Sequence, residues 1–276
     1  MSVPVERVFD IHQHVGLLTV SGHLEPGTTT IDIDDDYRRR VAVMDRFGVT
    51  KGAIMPALQY ERPRGQMDTC CINDLMAEYR RRHAERFPVA LGTVEPLHGE
   101  KAGVAELERM AGELRLDGVV WHHRFQGTFI ADWRMRPFLR KAETLGLPAF
   151  IHLFAESTME APWGLEALAE EFPGVPFVAI DAFSGHTQSR YMLSLGRRFL
   201  NILFETAALF PLGRLIEEFV GALGSERILY GSDLYVDPLM YNVPHVLEEI
   251  RAAAISPRDR ENILWNNACR LFRRAL

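Results

Sequence analysis

The chain has 276 residues, 47% hydrophobic and 25% charged, with a net charge of −6. This composition excludes disordered, collagen-like and disulfide-built classes, and the acidic balance excludes a basic footprint for nucleic acid or an anionic membrane surface. Of the 31 basic side chains only Lys51, Lys101 and Lys141 are lysines, so each can be assigned a place.

Cys70, Cys71 and Cys269 offer no disulfide framework. The first residues carry no basic stretch followed by an apolar one, and no apolar run approaches the ~20 residues of a membrane span. The expectation is a soluble cytoplasmic protein in a reducing compartment, acting on a small molecule.

Eight short apolar runs follow one another along the chain, at residues 8–11, 52–55, 89–92, 118–121, 149–151, 177–180, 202–204 and 228–230. They are continuously apolar, which fits parallel strands buried on both faces. Between them, residues 36–47, 68–87, 104–114, 133–145, 165–172 and 212–223 carry apolar residues at helical spacing. Gly48, Gly146 and Gly224 stand as helix stops. A last helix is expected over 258–273, after Pro257. Strand–helix alternation of this count predicts one α/β domain over 1–276, a parallel (β/α)8 TIM barrel with an extra C-terminal helix. The connection Val15–Asp34, about 20 residues long, exceeds a usual βα loop and is expected to shape the site. Its acidic end, Asp32 and Asp34–Asp36, reads as a helix cap.

A barrel places its chemistry at the C-terminal ends of its strands. The first strand ends Asp10-Ile11-His12-Gln13-His14, and alternation puts 10, 12 and 14 on one face. The fifth strand ends at His152 and the eighth runs into Gly231-Ser232-Asp233. Three imidazoles and a carboxylate on one rim suit a divalent ion, Zn²⁺ first, with Mn²⁺, Fe²⁺ or Co²⁺ as alternatives.

These pieces, with Gly146–His152, Arg227–Asp233 and the tail Asn262–Phe272, resemble the amidohydrolase superfamily, in its amidohydrolase-related branch. The resemblance implies His12, His14, His152 and Asp233 as metal ligands, with no organic cofactor. Binuclear relatives bridge two metals with a carboxylated lysine after the fourth strand. Here that segment reads Trp121-His122-His123 and no lysine lies near it, so one metal per chain is expected.

The family's histidine after the sixth strand is replaced by Asp181, with His186 five residues on. Asp181, His122 and Asp233 are the expected catalytic residues. Arg124, Glu205, His186 and Tyr235 are the expected substrate contacts, Arg124 because its fork matches a carboxylate. Glu95 and Asp237 are further rim residues, and Trp121, Phe125, Phe129, Trp133 and Phe154 point to an apolar or aromatic ligand.

The leading expectation is hydrolysis of an amide or lactone by metal-activated water. The alternative is non-oxidative decarboxylation of an aromatic or unsaturated acid. The third reading is a metal-binding barrel without catalysis. The resemblance leaves a homo-oligomer open.

Overall fold

The computed structural model describes residues 6–16, 31–57, 62–209, 214–236 and 243–273. In chain order it places β1 (Phe9–Val15), α1 (Ile33–Phe47), β2 (Lys51–Pro56), α2 (Gln66–His83), β3 (Val89–Ala90), a 3-10 turn at Pro96–His98, α3 (Glu100–Gly112) and β4 (Val119–Trp121). There follow α4 (His123–Gln126), α5 (Met135–Leu145), β5 (Ala149–His152), α6 (Pro162–Glu171), β6 (Phe177–Ile180), α7 (His186–Arg198), β7 (Ile202–Glu205), α8 (Leu215–Leu223) and β8 (Ile228–Leu229). The chain ends in α9 (Val243–Ala252), α10 (Pro257–Glu261), a π-turn at Asn262–Asn266 and α11 (Asn267–Leu271).

Every ladder is parallel, β1-β2-β3 in one set and β4-β5-β6-β7-β8 in the other. Two bridges close the ring, Gly92 with Val119 and Gln13 with Leu234. The eight expected strands are therefore the staves of a TIM barrel. The third and eighth are two residues long, each laddered to one neighbour, and the chain just beyond each meets the other neighbour through a single bridge.

The sequence pattern explains the layers. Phe9, Ile11, Ala53, Met55, Leu91, Val120, Phe150, Val178, Ile180 and Leu229 fill the barrel interior. Their alternate neighbours, such as Ile54, Trp121, Ile151, Phe177 and Phe204, pack outward against the helices. The C-terminal segment joins the interior set through Trp265, Ala268 and Phe272. Phe9, the first residue of β1, lies 6.1 Å from the Trp265 ring and 6.2 Å from Phe272. The extra helix therefore plugs the N-terminal end of the barrel, leaving the other end for the site.

Helix ends follow local chemistry. Asp32 caps α1 by accepting from the backbone N–H groups of Asp34 and Asp35 at 3.1 and 3.0 Å. Gly48 and Gly146 end α1 and α5 at φ 74° and 67°, a left-handed turn that costs a residue with a Cβ about 1 kcal/mol or more. Most of the Val15–Asp34 connection, residues 17–30, lies outside the described residues, as does Asp237. Among the described residues no helix is long and apolar enough to cross a membrane.

Candidate metal centre and active site

The register of β1 against β2 shifts between Asp10 and Gln13. This irregularity interrupts strict alternation, so Ile11 fills the interior while His12 and His14 open toward the mouth. Asp10, expected on their face, turns instead to the seam with β8. It accepts from the backbone N–H groups of His12 and Ser232 and from the Ser232 hydroxyl. Burial pushes its carboxyl up to about 6.

His12 Nε2 and His14 Nε2 stand 2.9 Å apart. Asp233 Oδ1 lies 3.3 Å from the first and 3.2 Å from the second. The far side of each ring faces an acceptor: His14 Nδ1 donates to the Pro56 carbonyl at 3.0 Å, and His12 Nδ1 lies 3.2 Å from Glu205 Oε2. Acceptors at both Nδ1 atoms call for protons there, which leaves both Nε2 lone pairs aimed at the same point as a carboxylate oxygen. Such a donor set fits a divalent cation. In the protein alone the same crowding loads a proton on His12. Burial opposes it, but the Glu205 carboxylate overrides burial and raises the ring to about 10. His14 moves down through burial. Tyr235 stacks on His14 at 4.6 Å and 22°.

Glu205 was expected at the substrate. It is instead fully buried behind His12 and also accepts from the Asp181 and Ala207 backbone N–H groups at 3.0 and 2.7 Å. Gly231 makes this possible: a Cβ there would stand 1.9 Å from Glu205 Oε1 and 2.7 Å from His12 Cβ. Asp181 and Asp233 hold left-handed backbones, φ 58° and 54°. Strained aspartates after both β6 and β8 mark the two walls of the mouth.

The second wall is built around a residue the sequence did not single out. Glu160, in the loop after β5, is fully buried. Its Oε1 lies 2.5 Å from His122 Nδ1 and its Oε2 3.0 Å from His152 Nδ1. The two rings stack at 3.6 Å and 16°. Both Nδ1 atoms face the one carboxylate, so Glu160 grips the two imidazoles, and the three groups stand close enough together to meet a cation as well. His152 presents Nε2 to Asp181 Oδ2 at 3.0 Å. With a carboxylate at each nitrogen, His152 holds its proton up to about 9 against the opposing effect of burial. His122 moves well down through burial and the neighbouring His152. The structure thus brings His12, His14 and Asp233 into one set and places His152 in the adjoining one.

Arg124 sits at the rim with its guanidinium 5.0 Å from the Phe125 ring centre and 5.2 Å from that of Phe154. Its Nε lies 3.4 Å from Glu160 Oε2 and its side chain is 39% exposed. Glu95 pairs with Arg62 at 2.9 Å, both nearly buried. His186 opens α7 as an exposed residue and does not join either set. His123 is fully buried, and among the described residues neither of its ring nitrogens has a hydrogen-bond partner. Glu160 and Arg62 carried no sequence signal because each lies in a loop, and only the fold sets them beside a strand end.

The family described as Amidohydrolase matches residues 9–274. No curated protein sequence matches the chain significantly. Many solved structures are similar, three decarboxylases among them. The 5-carboxyvanillate decarboxylase of Sphingomonas paucimobilis is 20% identical, with a TM-score of 0.72 over 97% of this chain and 99% of that one. The 2,6-dihydroxybenzoate decarboxylase of Rhizobium is 19% identical, with a TM-score of 0.72 over 97% and 99%. The dihydroxybenzoic acid decarboxylase of a Polaromonas species, solved with manganese and 2-nitroresorcinol bound, is 16% identical, with a TM-score of 0.73 over 97% of each chain.

These neighbours overturn amide or lactone hydrolysis as the leading expectation, since most of the named ones are decarboxylases of aromatic acids. The expectation failed because hydrolases and decarboxylases share the imidazole–carboxylate donor set. Asp233, expected both as a ligand and as a catalytic residue, lies 3.3 and 3.2 Å from the Nε2 atoms of the two imidazoles. The matched span and the closed barrel place the chain in the amidohydrolase family.

Proposed function

We propose that this chain is a metal-dependent, non-oxidative decarboxylase of a small aromatic acid. The observation that carries the reading is the pairing of walls: a cation-ready donor set on one side, a proton-loaded His152–Asp181 pair on the other. Hydrolysis needs a group that takes a proton from water. Decarboxylation needs one that gives a proton to carbon, and an imidazole flanked by two carboxylates carries that proton at neutral pH.

His12, His14 and Asp233 would hold one divalent ion, leaving room for substrate as catalytic sites with three protein ligands do. When bound, the ion supplies positive charge that orients substrate oxygens and offsets negative charge building on them. Arg124, braced by two aromatic rings, takes an anionic group at the rim. Tyr235 and Phe154 give the aromatic ring apolar surface. The bond from ring carbon to carboxyl carbon breaks, CO₂ leaves, and the electron pair remains on the ring carbon. That carbon takes the proton shared between His152 Nε2 and Asp181 Oδ2, and solvent restores it. Zn²⁺ and Mn²⁺ both suit two nitrogens and an oxygen.

The test is a panel of hydroxybenzoates and methoxylated benzoates, with and without Mn²⁺ or Zn²⁺, read by CO₂ release beside a panel of lactones and amides. Metal-dependent CO₂ release from at least one aromatic acid is expected. Hydrolysis of a lactone or amide with no CO₂ from any acid would overturn the reading.

A further inference from the structure

Behind the metal set, on the outer side of the barrel wall, lies a guanidinium that touches the strand ends from behind. Arg40 of α1 is fully buried. Its Nε and Nη2 donate to the two oxygens of Asp36 at 3.0 and 3.1 Å. Nη2 also donates to the His14 carbonyl at 2.8 Å, and Nη1 donates to the Leu234 carbonyl at 3.2 Å and to Gln13 Oε1 at 3.4 Å. That satisfies all five of its donors.

Two of these acceptors are backbone carbonyls of the strand ends that carry the metal set, and Gln13 supplies a side chain there. One is the backbone of His14 itself. The other is the residue after Asp233. The network continues inward. Gln13 donates to Asp10 at 2.9 Å, and Asp10 accepts from Ser232, the residue before Asp233. The left-handed Asp233 is therefore held by its neighbours on both sides, at a seam where, among the described residues, β1 meets the segment after β8 through the Gln13–Leu234 bridge. On the outer side Tyr79 donates to Asp36 at 2.7 Å and touches neither strand end through this network.

We propose that Arg40 is a positioning residue for the metal centre: from behind the wall it sets the spacing of His14 and Asp233 and holds Asp233 in its strained conformation. The inference rests on the reading of His12, His14 and Asp233 as ligands. Stability alone would not require this arrangement, since a buried ion pair is a weak stabiliser and an apolar pair would fill the space. What a guanidinium adds is a planar fork that reaches two carbonyls and a carboxylate at once, which a lysine ammonium does not.

The experiment is a Mn²⁺ titration of the chelator-stripped full chain, followed by the EPR signal of free Mn²⁺, on wild type, Arg40→Lys, Arg40→Gln and Tyr79→Phe. Circular dichroism confirms folding of each. The Arg40 variants should bind Mn²⁺ about tenfold or more weakly, the scale seen for groups that orient ligands. Tyr79→Phe should melt earlier while its Mn²⁺ affinity stays within about twofold, well inside that range. If Arg40→Gln does not fold, Arg40→Lys, which keeps a positive charge beside Asp36, decides alone. Folded Arg40 variants with wild-type affinity, or an equal loss in Tyr79→Phe, would overturn the positioning role. Wild type that binds no Mn²⁺ would contradict the ligand reading, and this inference with it.

Discussion

At the scale of single residues, the site divides its imidazoles by what faces their nitrogens. His14 shows one ring nitrogen to a carbonyl and the other to the mouth, which suits it to donate to a cation. His152 shows both to carboxylates, which suits it to hold a proton. The two should fail differently. His14→Ala should abolish stoichiometric metal binding. His152→Asn should retain the metal by elemental analysis while turnover drops by about 10²–10⁴, the usual contribution of a positioned proton donor. Loss of metal in His152→Asn would return His152 to the ligand set that the family resemblance implies. Glu160→Gln leaves one stacked ring facing an amide N–H instead of an acceptor. Turnover should fall by about tenfold or more, and the ¹⁵N shifts of His122 and His152 should change. Unchanged shifts would remove Glu160 from its role.

How much of this was legible follows from geometry. His12, His14 and Asp233 were found because strand ends can be located from apolar runs, and a barrel gathers strand ends. The same rule points to Glu205 at the substrate, whereas it lies buried behind His12. Its burial depends on Gly231 leaving space, a contact across two strands that linear spacing does not encode. Glu160, Arg62 and Arg40 lie in a loop, a loop and a helix, and become part of the site only when the sheet closes.

At the scale of elements, α2 and α3 are tied by a buried carboxylate. Glu106 accepts from Asn73 at 2.7 Å and from Arg109 at 2.8 Å, and Cys70 contacts it at 3.2 Å. Burial pushes its pKa up, but these partners together bring it below the ordinary 4.5. A depressed carboxylate pKa contributes stability that is present above the unfolded value and lost as pH falls through the folded one. The Tm of wild type should therefore fall more steeply below about pH 4.5 than that of Glu106→Gln. Glu106→Gln should start lower at pH 7, by about 1–3 kcal/mol for a weakened buried hydrogen-bond set. Parallel acid curves for the two proteins would contradict this. Gly231→Ala tests the contact between β7 and the end of β8. Its Cβ has no room beside Glu205, so overpacking should cost about 1–3 kcal/mol and disturb His12 as well. A variant with wild-type Tm and metal affinity would mean that the wall yields freely.

At the scale of the molecule, the two ends of the barrel do different work. Apolar layers and the C-terminal plug close one end, and charged strand ends gather at the other. Trp265→Ala should cost about 3–5 kcal/mol in unfolding free energy, as truncation of a buried aromatic does, with little change in metal affinity because the plug is remote from the mouth. Asp36, Arg40 and Tyr79 add a link between the helical layer and the mouth, so the ring of strands is set from outside as well as by its ladders.

The central claim is that the molecule uses one metal centre and one proton donor to replace a carboxyl group with hydrogen. The most direct measurement is NMR of a turnover in D₂O, using an aromatic acid selected from the panel and labelled with ¹³C at its carboxyl group. The metal-loaded wild type should release ¹³CO₂ and place one deuterium at the vacated ring carbon, and His14→Ala should do neither. Equal release by the metal-free protein, or a ring carbon that loses its carboxyl group without gaining hydrogen from solvent, would contradict the account.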